Sequence, residues 1–370
     1  MGASTNSLEL NPGPVVDESH LFDFVVKQGN GVKGLADSGL MSLPRRYVHP
    51  PGERIDRKQV IDASPYLGAP IDLSMLEEEK NKEKVMRDLC GAAEKLGFFQ
   101  VVNHGVSLEV LERVKEAVHG FFNLPPEKKA GYLKGKTPCP NVFYGTSFSP
   151  ENEESLEWKD YLSLRYMNDD EAMQFWPLEC RDAALEYLKS ANKMIHLILS
   201  TLLQGLGEEV DSSAVNLYDE DKTVNMNFYP ICPNPELTVG VGRHSDLTAI
   251  TVLLQDDIGG LFVKVEDKGW IEIPPVQGAL VINIGDTLEI LSNGRYKSAE
   301  HRAIASSTKD RVSVPIFVTP GPFTMIGPLP GLAEKDDKAV IYRQLLFGEY
   351  KNNFFGASHQ GKKSLDFAKI

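Results

Sequence analysis

The hydrophobic pattern divides the chain into a helix-rich first half and a strand-rich second half. Apolar residues recur every three or four positions in residues 77–96, which predicts a helix with one buried face. Residues 107–122 repeat this spacing after a serine suited to cap a helix, and residues 181–206 carry a wider apolar face. The run FFQVVN at 98–103 predicts a strand. These helices are expected to pack against a sheet.

After residue 222 the pattern changes to short runs of branched and aromatic residues separated by Gly, Pro, Asp and Asn. Many short strands at close spacing are typical of a double-sheet barrel such as a jelly roll. The predicted strands are 224–229, 237–242, 250–254, 261–265, 270–273, 279–284 and 312–318. A last helix is predicted over 342–355, where it would pack near the barrel mouth.

These patterns also set expected boundaries along the chain. The polar N-terminal residues carry Pro and Gly and are expected to form a disordered tail. The expected divisions are a tail at 1–20, a mainly helical region at 21–215, a jelly-roll domain at 216–325, and a C-terminal helix and tail at 326–370. We interpret residues 141–158 as an aromatic loop that could cover a binding pocket, although loops also use aromatic side chains as anchors.

Composition excludes several classes of partner. The 370 residues are 42% hydrophobic and 25% charged, as in an ordinary soluble globular protein. A net charge of -13 argues against binding to a nucleic-acid backbone, which requires basic patches. The sequence contains no run near the roughly 18 apolar residues of a membrane span. We therefore expect neither a nucleic-acid nor a membrane partner.

The N-terminus and the cysteines suggest a location. The first eight residues lack a basic region followed by an apolar core, so we expect no secretory signal. Four cysteines are scattered without CxxC spacing, which favours reduced, buried thiols over disulfides or zinc ligands. Together these features predict a cytoplasmic protein.

The candidate chemistry lies in the strand-rich half. His244 and Asp246 are two residues apart, so on a strand they would project to the same face. His301 follows 55 residues after Asp246. Two imidazoles and one carboxylate on a β scaffold are the ligand set of non-haem Fe(II) oxygenases, which leave coordination positions open.

A second pair follows ten residues after His301. Arg311 and Ser313 are again two apart, and the planar fork of arginine suits a carboxylate. This pair predicts a small acidic co-substrate, for which 2-oxoglutarate is suitable. Each motif alone is weak, since an isolated His-x-Asp is usually an ordinary polar pair and Arg-x-Ser a surface feature. Their joint occurrence is what indicates an oxygenase site.

Two other classes remain open from the residues. Zinc can be held by the same ligands, which would give a hydrolase. A binding protein could also keep the barrel without turnover. The Arg-x-Ser pair argues against the hydrolase, and the full set of ligands argues against the pure binder.

Together these segments resemble the plant 2-oxoglutarate/Fe(II)-dependent dioxygenases of specialised metabolism, over residues 71–355. The motifs that carry the resemblance are GFFQVVNHG at 97–105, NFYP at 227–230, GRHSD at 242–246, NIGD at 283–286, LSNG at 291–294, YKSAEHR at 296–302 and RVS at 311–313. The resemblance implies a mixed α and β protein with a double-stranded β-helix (jelly-roll) core, a helical N-terminal half and a C-terminal helix. It also implies Fe(II), with 2-oxoglutarate and O2 as co-substrates and ascorbate as reductant.

The resemblance also assigns roles to single residues. His244, Asp246 and His301 match the iron ligands, and Arg311 and Ser313 match the pair that holds the distal carboxylate of 2-oxoglutarate. Further matches are Asn227 and Tyr229 for co-substrate contact and Phe317 for a ring flanking an aromatic substrate. Phe143 and Tyr144, in the aromatic segment, are further candidates for the substrate pocket. We expect a monomer that acts on a small aromatic molecule.

A subgroup signal narrows the expected substrate. Segments including GNGVKG at 29–34, YGTSFS at 144–149 and EWKDYL at 157–162 resemble the coumarin-forming hydroxylases. Residues 263–267 and 352–356 favour 8-hydroxylation of scopoletin, giving fraxetin. The alternative is ortho-hydroxylation of feruloyl-CoA or p-coumaroyl-CoA, leading to scopoletin or umbelliferone.

Overall fold

The computed structural model describes residues 18–147, 149–207, 212–356 and 362–370. Most of the predicted tail, residues 1–17, therefore lies outside the described residues. The part of the tail that is described is helical, because the first helix spans Glu18–Phe22.

The helices are α1 Glu18–Phe22, α2 Gly31–Asp37, α3 Glu79–Lys95, α4 Leu108–Phe122, α5 Pro126–Lys129, α6 Asp169–Phe175, α7 Leu178–Gly205, α8 Ser212–Tyr218, α9 Asp286–Leu291, α10 Leu332–Lys335 and α11 Phe347–Gly356. Apolar spacing predicts α3, α4, α7 and most of α11, and the structure adds shorter helices between them. The Ser107 hydroxyl accepts a hydrogen bond from the Val110 amide at 3.3 Å and so caps α4, as predicted.

The strands alternate with these helices and continue through the second half. They are β1 Ile71–Asp72, β2 Phe98–Val102, β3 Val142–Thr146, β4 Asp160–Tyr166, β5 Asp221–Tyr229, β6 Val241–His244, β7 Ile250–Gln255, β8 Leu261–Val265, β9 Gly269–Glu272, β10 Leu280–Ile284, β11 His301–Ala303, β12 Arg311–Thr319, β13 Met325–Ile326 and β14 Leu345–Leu346.

The strands assemble into two principal sheets. An eight-stranded sheet has the order β1-β2-β10-β7-β12-β5-β4-β3, and a four-stranded sheet has the order β6-β11-β8-β9. Apart from the parallel pair β1–β2, these strands pair antiparallel. One cavity is lined by residues of both sheets. This arrangement confirms the predicted jelly-roll core with a helical N-terminal half.

Helices α4 and α7 cover the outer face of the eight-stranded sheet. The buried stripe of α7 includes Leu188, Ile195 and Leu202, and it joins one hydrophobic core with the branched residues of β5, β7 and β12. That core also contains residues of β2, β3 and β4. The predicted boundary at residue 215 therefore has strand pairing and a shared core across it.

A close backbone approach joins α3 to the barrel. Gly97 has φ +74° at the end of α3, and a Cβ atom there would lie 1.8 Å from the Lys297 carbonyl oxygen. Only glycine accommodates both the left-handed backbone and this contact. The Lys297 amide donates to the Ala93 carbonyl at 3.0 Å. The chain just before His301 is thus held against α3.

Several predicted elements differ from the structure. Residues 141–158 are not wholly a loop, because β3 occupies 142–146 and pairs with β4. The predicted strand at 237–242 is shorter, since Pro235–Leu237 forms a 3-10 turn and β6 begins at Val241. The last helix begins at Phe347 rather than at residue 342, because β14 precedes it.

The four cysteines have the reduced, buried state that their spacing predicts. Cys90, Cys139, Cys180 and Cys232 are all free and buried. Within the described ranges, no helix has the length and apolar character needed to cross a bilayer.

Candidate active site

Three residues with metal-binding side chains meet where the two sheets face each other. His244 ends β6 and His301 begins β11, and the two residues lie directly opposite each other in the antiparallel pair. Their ring centroids are 4.2 Å apart. Asp246 lies beyond the end of β6, so the strand argument does not place it. The turn after β6 nevertheless brings its Oδ1 to 3.5 Å from His244 Nε2 and 3.8 Å from His301 Nε2.

Hydrogen bonds fix the orientation of both imidazoles. His244 Nδ1 lies 2.9 Å from the Gly242 carbonyl oxygen, and His301 Nδ1 lies 3.2 Å from the Ala299 carbonyl oxygen. A carbonyl only accepts, so each Nδ1 carries a proton, and in the neutral ring each Nε2 keeps its lone pair. Both lone pairs belong to the nitrogens that face Asp246. The rings are therefore held in the tautomer that binds a metal.

The two oxygen atoms of the Asp246 carboxylate have different contacts. Its Oδ2 accepts hydrogen bonds from Thr251 Oγ1 at 2.6 Å and from Asn283 Nδ2 at 2.8 Å. Its Oδ1 is the atom that faces the two histidines. Such outer contacts orient a ligand and are a usual part of metal sites. Sequence reasoning missed Thr251 as a supporting residue, although Asn283 stands in one of the recognised motifs.

Burial and mutual charge set the protonation of this group. Burial and the neighbouring His244 together lower the pKa of His301 to about 4, so the ring is neutral at physiological pH. For Asp246, burial raises the pKa, but the two histidines outweigh burial and hold it below its usual range. Burial also lowers the pKa of His244, but its contact with Asp246 raises that pKa by more. The net pKa of His244 therefore lies above its usual value.

The donor set suits an Fe(II) ion. The candidate ligand atoms of His244, Asp246 and His301 all lie within 4.8 Å of one another. Two imidazoles and one carboxylate, gathered on one side, form the facial triad that leaves positions open for other ligands. Phe98 places its ring edge-on to His301, with centroids 5.1 Å apart, and so closes one side to water.

A buried arginine lies deeper in the same cavity. Arg311 is 1% exposed, and its Nε donates to the Gly259 carbonyl oxygen at 2.5 Å. Its guanidinium lies 4.8 Å from the ring centroid of Tyr229. Nη1 is buried and has no hydrogen-bond partner among the described residues. A buried cation with a free donor calls for an anion, so this feature suits the carboxylate of a small acid.

The other predicted co-substrate residues share the face of Arg311. Arg311 is opposite Tyr229 and Ser313 is opposite Asn227 in the pairing of β12 with β5. Asn227 Nδ2 donates to Ser313 Oγ at 3.3 Å. All four side chains line the cavity with the histidines. The structure therefore brings together every residue predicted for iron and for 2-oxoglutarate.

The three predicted substrate residues are distributed differently. Phe317 lines the cavity and is only half-buried, so it is not an ordinary core residue. Phe143 shares the inner face of the sheet near its edge and packs on Tyr161 at 5.9 Å. Tyr144 points to the opposite face, where it is 1% exposed within the hydrophobic core. Alternation along β3 explains this separation, because neighbouring residues face opposite sides.

The cavity around His244, Asp246 and His301 is small. The cavity measures about 110 Å³, and its lining includes Arg311, Phe317 and the trio of His244, Asp246 and His301. A larger groove of about 820 Å³ lies between residues 51–59 and the loops around Gly259 and Ser306. Its lining contains none of the predicted site residues, so we assign the chemistry to the smaller cavity.

Comparison with known proteins agrees with this geometry. A sequence model described as the 2OG-Fe(II) oxygenase superfamily matches residues 220–320. A second, described as the non-haem dioxygenase in morphine synthesis N-terminal, matches residues 70–179. The two matches together cover the sheets and the cavity.

Individual relatives match over nearly the whole chain. A scopoletin 8-hydroxylase of Arabidopsis thaliana is 54% identical, over 95% of this chain and 98% of that protein. A feruloyl CoA ortho-hydroxylase of Ipomoea batatas is 53% identical, over 95% of this chain and 97% of that protein. The crystal structure of JOX2 in complex with 2OG, Fe and JA superimposes with a TM-score of 0.79 at 32% identity, covering 92% of this chain and 97% of that one.

Proposed function

This chain belongs to the 2OG-Fe(II) oxygenase superfamily, and we propose that it hydroxylates scopoletin at C8 to give fraxetin. It is a 2-oxoglutarate-dependent dioxygenase that uses Fe(II), 2-oxoglutarate and O2, with ascorbate as the usual reductant. The observation that carries the site assignment is the trio of His244, Asp246 and His301 in one cavity with the unpartnered Nη1 of Arg311.

We assign the binding of iron to the trio and the binding of 2-oxoglutarate to Arg311, Ser313, Asn227 and Tyr229. Iron, when bound, supplies activation of O2 coupled to oxidative decarboxylation of the co-substrate. The reaction balances as aromatic C–H, 2-oxoglutarate and O2 giving aromatic C–OH, succinate and CO2. One oxygen atom enters the ring and the other enters succinate.

In this proposal, the protein positions the reactants and excludes water. The fork of Arg311 fixes the far end of 2-oxoglutarate, which sets the direction in which its keto acid end points. The edge of Phe98 and the wall formed by Phe317 keep the reacting space apolar. None of these residues has to gain or lose a proton during the reaction.

We favour scopoletin over a CoA ester because two cationic side chains that line the cavity, Lys159 and Arg302, already bind other groups of the protein. Identity with the two kinds of relative differs by one percentage point, so it does not distinguish them. A CoA ester needs available cations near its phosphates. Lys159 lines the cavity but is paired with Glu157 at 3.1 Å, and Arg302 donates to the Glu53 carbonyl at 2.9 Å.

The alternative is ortho-hydroxylation of feruloyl-CoA or p-coumaroyl-CoA. Its specific support is the relative from Ipomoea batatas and another named as acting on both coumaroyl CoA and feruloyl CoA, at 51% identity. The chemistry at iron is the same in both proposals. Only the molecule that presents its ring to Phe317 differs.

A turnover assay separates the two substrates. Purified protein is incubated with Fe(II), ascorbate, 2-oxoglutarate and either scopoletin, feruloyl-CoA or p-coumaroyl-CoA, and the products are identified by mass. We expect a product 16 mass units heavier from scopoletin, by addition of one oxygen. Turnover of the CoA esters alone would replace scopoletin with the alternative, and turnover of none would exclude both.

We also propose that the protein is a cytoplasmic monomer. The support is the set of four free, buried cysteines, which fits a reducing compartment, together with the high negative charge. Sedimentation of the purified protein tests the monomer, and imaging of a tagged chain tests the location.

A further inference from the structure

One polar side chain in the cavity has no partner and no assigned role. Asn225 lines the cavity, yet no described residue forms a hydrogen bond with its side-chain amide. Its Oδ1 atom is buried and unpartnered. An amide group left unpaired in a protein interior is costly, so its retention here points to a ligand that supplies the missing hydrogen bond.

The position of Asn225 places it on the substrate side of the co-substrate residues. On β5 it is two residues from Asn227, so both side chains project to the inner face. It lies between the Asn227–Ser313 pair and the Thr223–Phe317 pair of the β5–β12 ladder. Diagonal neighbours across such a ladder are about 7–8 Å apart, within reach of one aromatic ring. A ring held against Phe317 would therefore bring its edge to Asn225.

Most other polar groups of the cavity already have a partner. Lys159 is paired with Glu157, and Nη1 of Arg302 donates to a backbone carbonyl, although its Nε has no partner among the described residues. Thr251 and Asn283 both donate to Asp246. The donors of the co-substrate end, including Arg311, are committed to an acid. Among the described residues that line the cavity, Asn225 is thus the neutral polar side chain that has neither a partner nor an assigned role.

We propose that the Asn225 amide forms a hydrogen bond with a phenolic hydroxyl of the substrate and thereby selects hydroxylated rings. An amide offers both a donor and an acceptor, and a phenol can meet either one. The inference rests on the proposed function, whose candidate substrates all carry a phenolic hydroxyl. It adds that this hydroxyl, rather than the lactone or the thioester, is the group that the cavity recognises.

The test compares a phenol with the same ring lacking the hydroxyl. Binding of 7-hydroxycoumarin and of coumarin is measured by calorimetry, without O2, to protein loaded with Fe(II) and 2-oxoglutarate. We expect wild type to bind 7-hydroxycoumarin at least about tenfold more tightly, since a polar group left unpaired discriminates strongly. Asn225→Leu has nearly the same shape and should bind both rings alike, while its Kd for 2-oxoglutarate stays unchanged.

Two further variants control the result. Thr223→Val removes a hydroxyl from the same face of the same strand but outside the cavity lining, and it should keep the phenol preference. Lys159→Met removes a charged side chain of the cavity lining that could also reach a phenol. If Asn225→Leu unfolds at the assay temperature, Asn225→Ala and Asn225→Ser provide smaller replacements for the same comparison.

Several results would overturn the inference. They are no phenol preference in wild type, no binding of either coumarin, a preference that persists in the Asn225 variants, a preference lost in Lys159→Met instead, or a parallel loss of 2-oxoglutarate binding. The proposed function is judged separately by turnover. A wild-type protein that converts neither scopoletin nor the CoA esters would refute that function, while the binding comparison would still decide the role of Asn225.

Discussion

At the scale of single residues, Asp246 shows how a ligand is prepared before the metal arrives. One of its oxygens is held by Thr251 and Asn283, and the other faces the two histidines. The metal-binding tautomer of each ring is fixed by a backbone carbonyl. The site therefore needs little rearrangement to bind an ion.

The first prediction concerns this preparation. Asp246→Ala should abolish turnover and measurable Fe(II) binding, because the trio loses its charged ligand. Thr251→Val removes one supporting hydrogen bond and should weaken metal affinity by about 10- to 100-fold. The Fe(II) affinity of both variants is measured by metal titration on folded protein. Thr223→Val serves as the control with no expected change, and full Fe(II) affinity in Asp246→Ala would remove this residue from the site.

A second prediction concerns the clamp. Arg311→Lys keeps a positive charge but cannot donate to the Gly259 carbonyl and also present a planar fork to an acid. We expect a rise of tenfold or more in the KM for 2-oxoglutarate and a smaller change for the aromatic substrate. Both constants come from the same turnover assay. Equal changes in the two would argue that Arg311 does not bind the co-substrate.

Residues of the site differ in how far they could be predicted. His244, Asp246, His301 and Arg311 stand in short motifs whose residue types name their chemistry. Asn225 could not be found this way, because its significance lies in a missing partner, and partners come from other strands. The separation of Phe143 from Tyr144 needs only the alternation of a strand, but it requires knowing that β3 is one.

At the scale of elements, the C-terminal helix is tied to the iron loops through one carboxylate. Asp286 accepts hydrogen bonds from Ser245 at 3.2 Å, from Ser298 at 2.7 Å and from Tyr350 of α11 at 2.7 Å. Ser245 stands between two of the proposed ligands, and Ser298 lies three residues before the third. The predicted contact of this helix with the barrel thus reaches the site through a buried polar network.

The third prediction tests this connection. Tyr350→Phe removes one donor to a buried carboxylate, which should cost about 1.5–3 kcal/mol of stability and also weaken metal binding. Tyr342→Phe is the matched control, since its hydroxyl donates to Glu289 at 2.8 Å rather than to Asp286. Thermal melting and metal titration are measured on both. If both variants lose the same metal affinity, Tyr350 has only a structural role.

Elements were predicted well where the apolar pattern is long and poorly where it is short. Helix α7 spans 28 residues, and the apolar stripe along it is long enough to predict the helix. Helix α9 has six residues, all buried, so it shows no alternation between apolar and polar faces. Strand β4 includes charged residues such as Asp160, which is buried because it accepts from the Val32 and Lys33 amides of α2. That contact spans more than 120 residues and leaves no local pattern.

At the scale of the whole molecule, the two halves form one structural unit. Strand β4 pairs with β5 over seven residue pairs, and β2 pairs with β10. Four of the eight strands in the large sheet precede the expected boundary at residue 215. The jelly roll was predictable from strand density, whereas its dependence on the first half was not.

A fourth prediction follows for a truncated chain. A fragment of residues 216–370 should fail to fold, because β5 and β10 would each lose one of their two partner strands and the core would be open to water. Circular dichroism and metal titration of the fragment measure this. Cooperative melting together with Fe(II) binding by the fragment would show that the catalytic region is an independent domain.

The fifth prediction concerns ligand-linked stability. Metal and 2-oxoglutarate bind the folded state, so each should stabilise it by about 2.7 kcal/mol at a concentration 100 times its Kd. The melting temperature should rise in steps on adding the metal and then 2-oxoglutarate, and a chelator should reverse both. Arg311→Lys should keep the first step and lose most of the second. A 2-oxoglutarate step that persists without metal would contradict this order.

The hairpin formed by β3 and β4 limits how the protein could be engineered for new substrates. Its register sets Phe143 on the inner face and Tyr144 in the core, so inserting or deleting one residue within β3 would exchange them. A chimera that takes this region from a relative should therefore transfer both strands as one cassette. Changes of length belong near Glu151 and Asn152, which are exposed and lie outside both strands. They should not reach Leu156 and Trp158, which are buried and donate backbone hydrogen bonds to Arg46 and Val239.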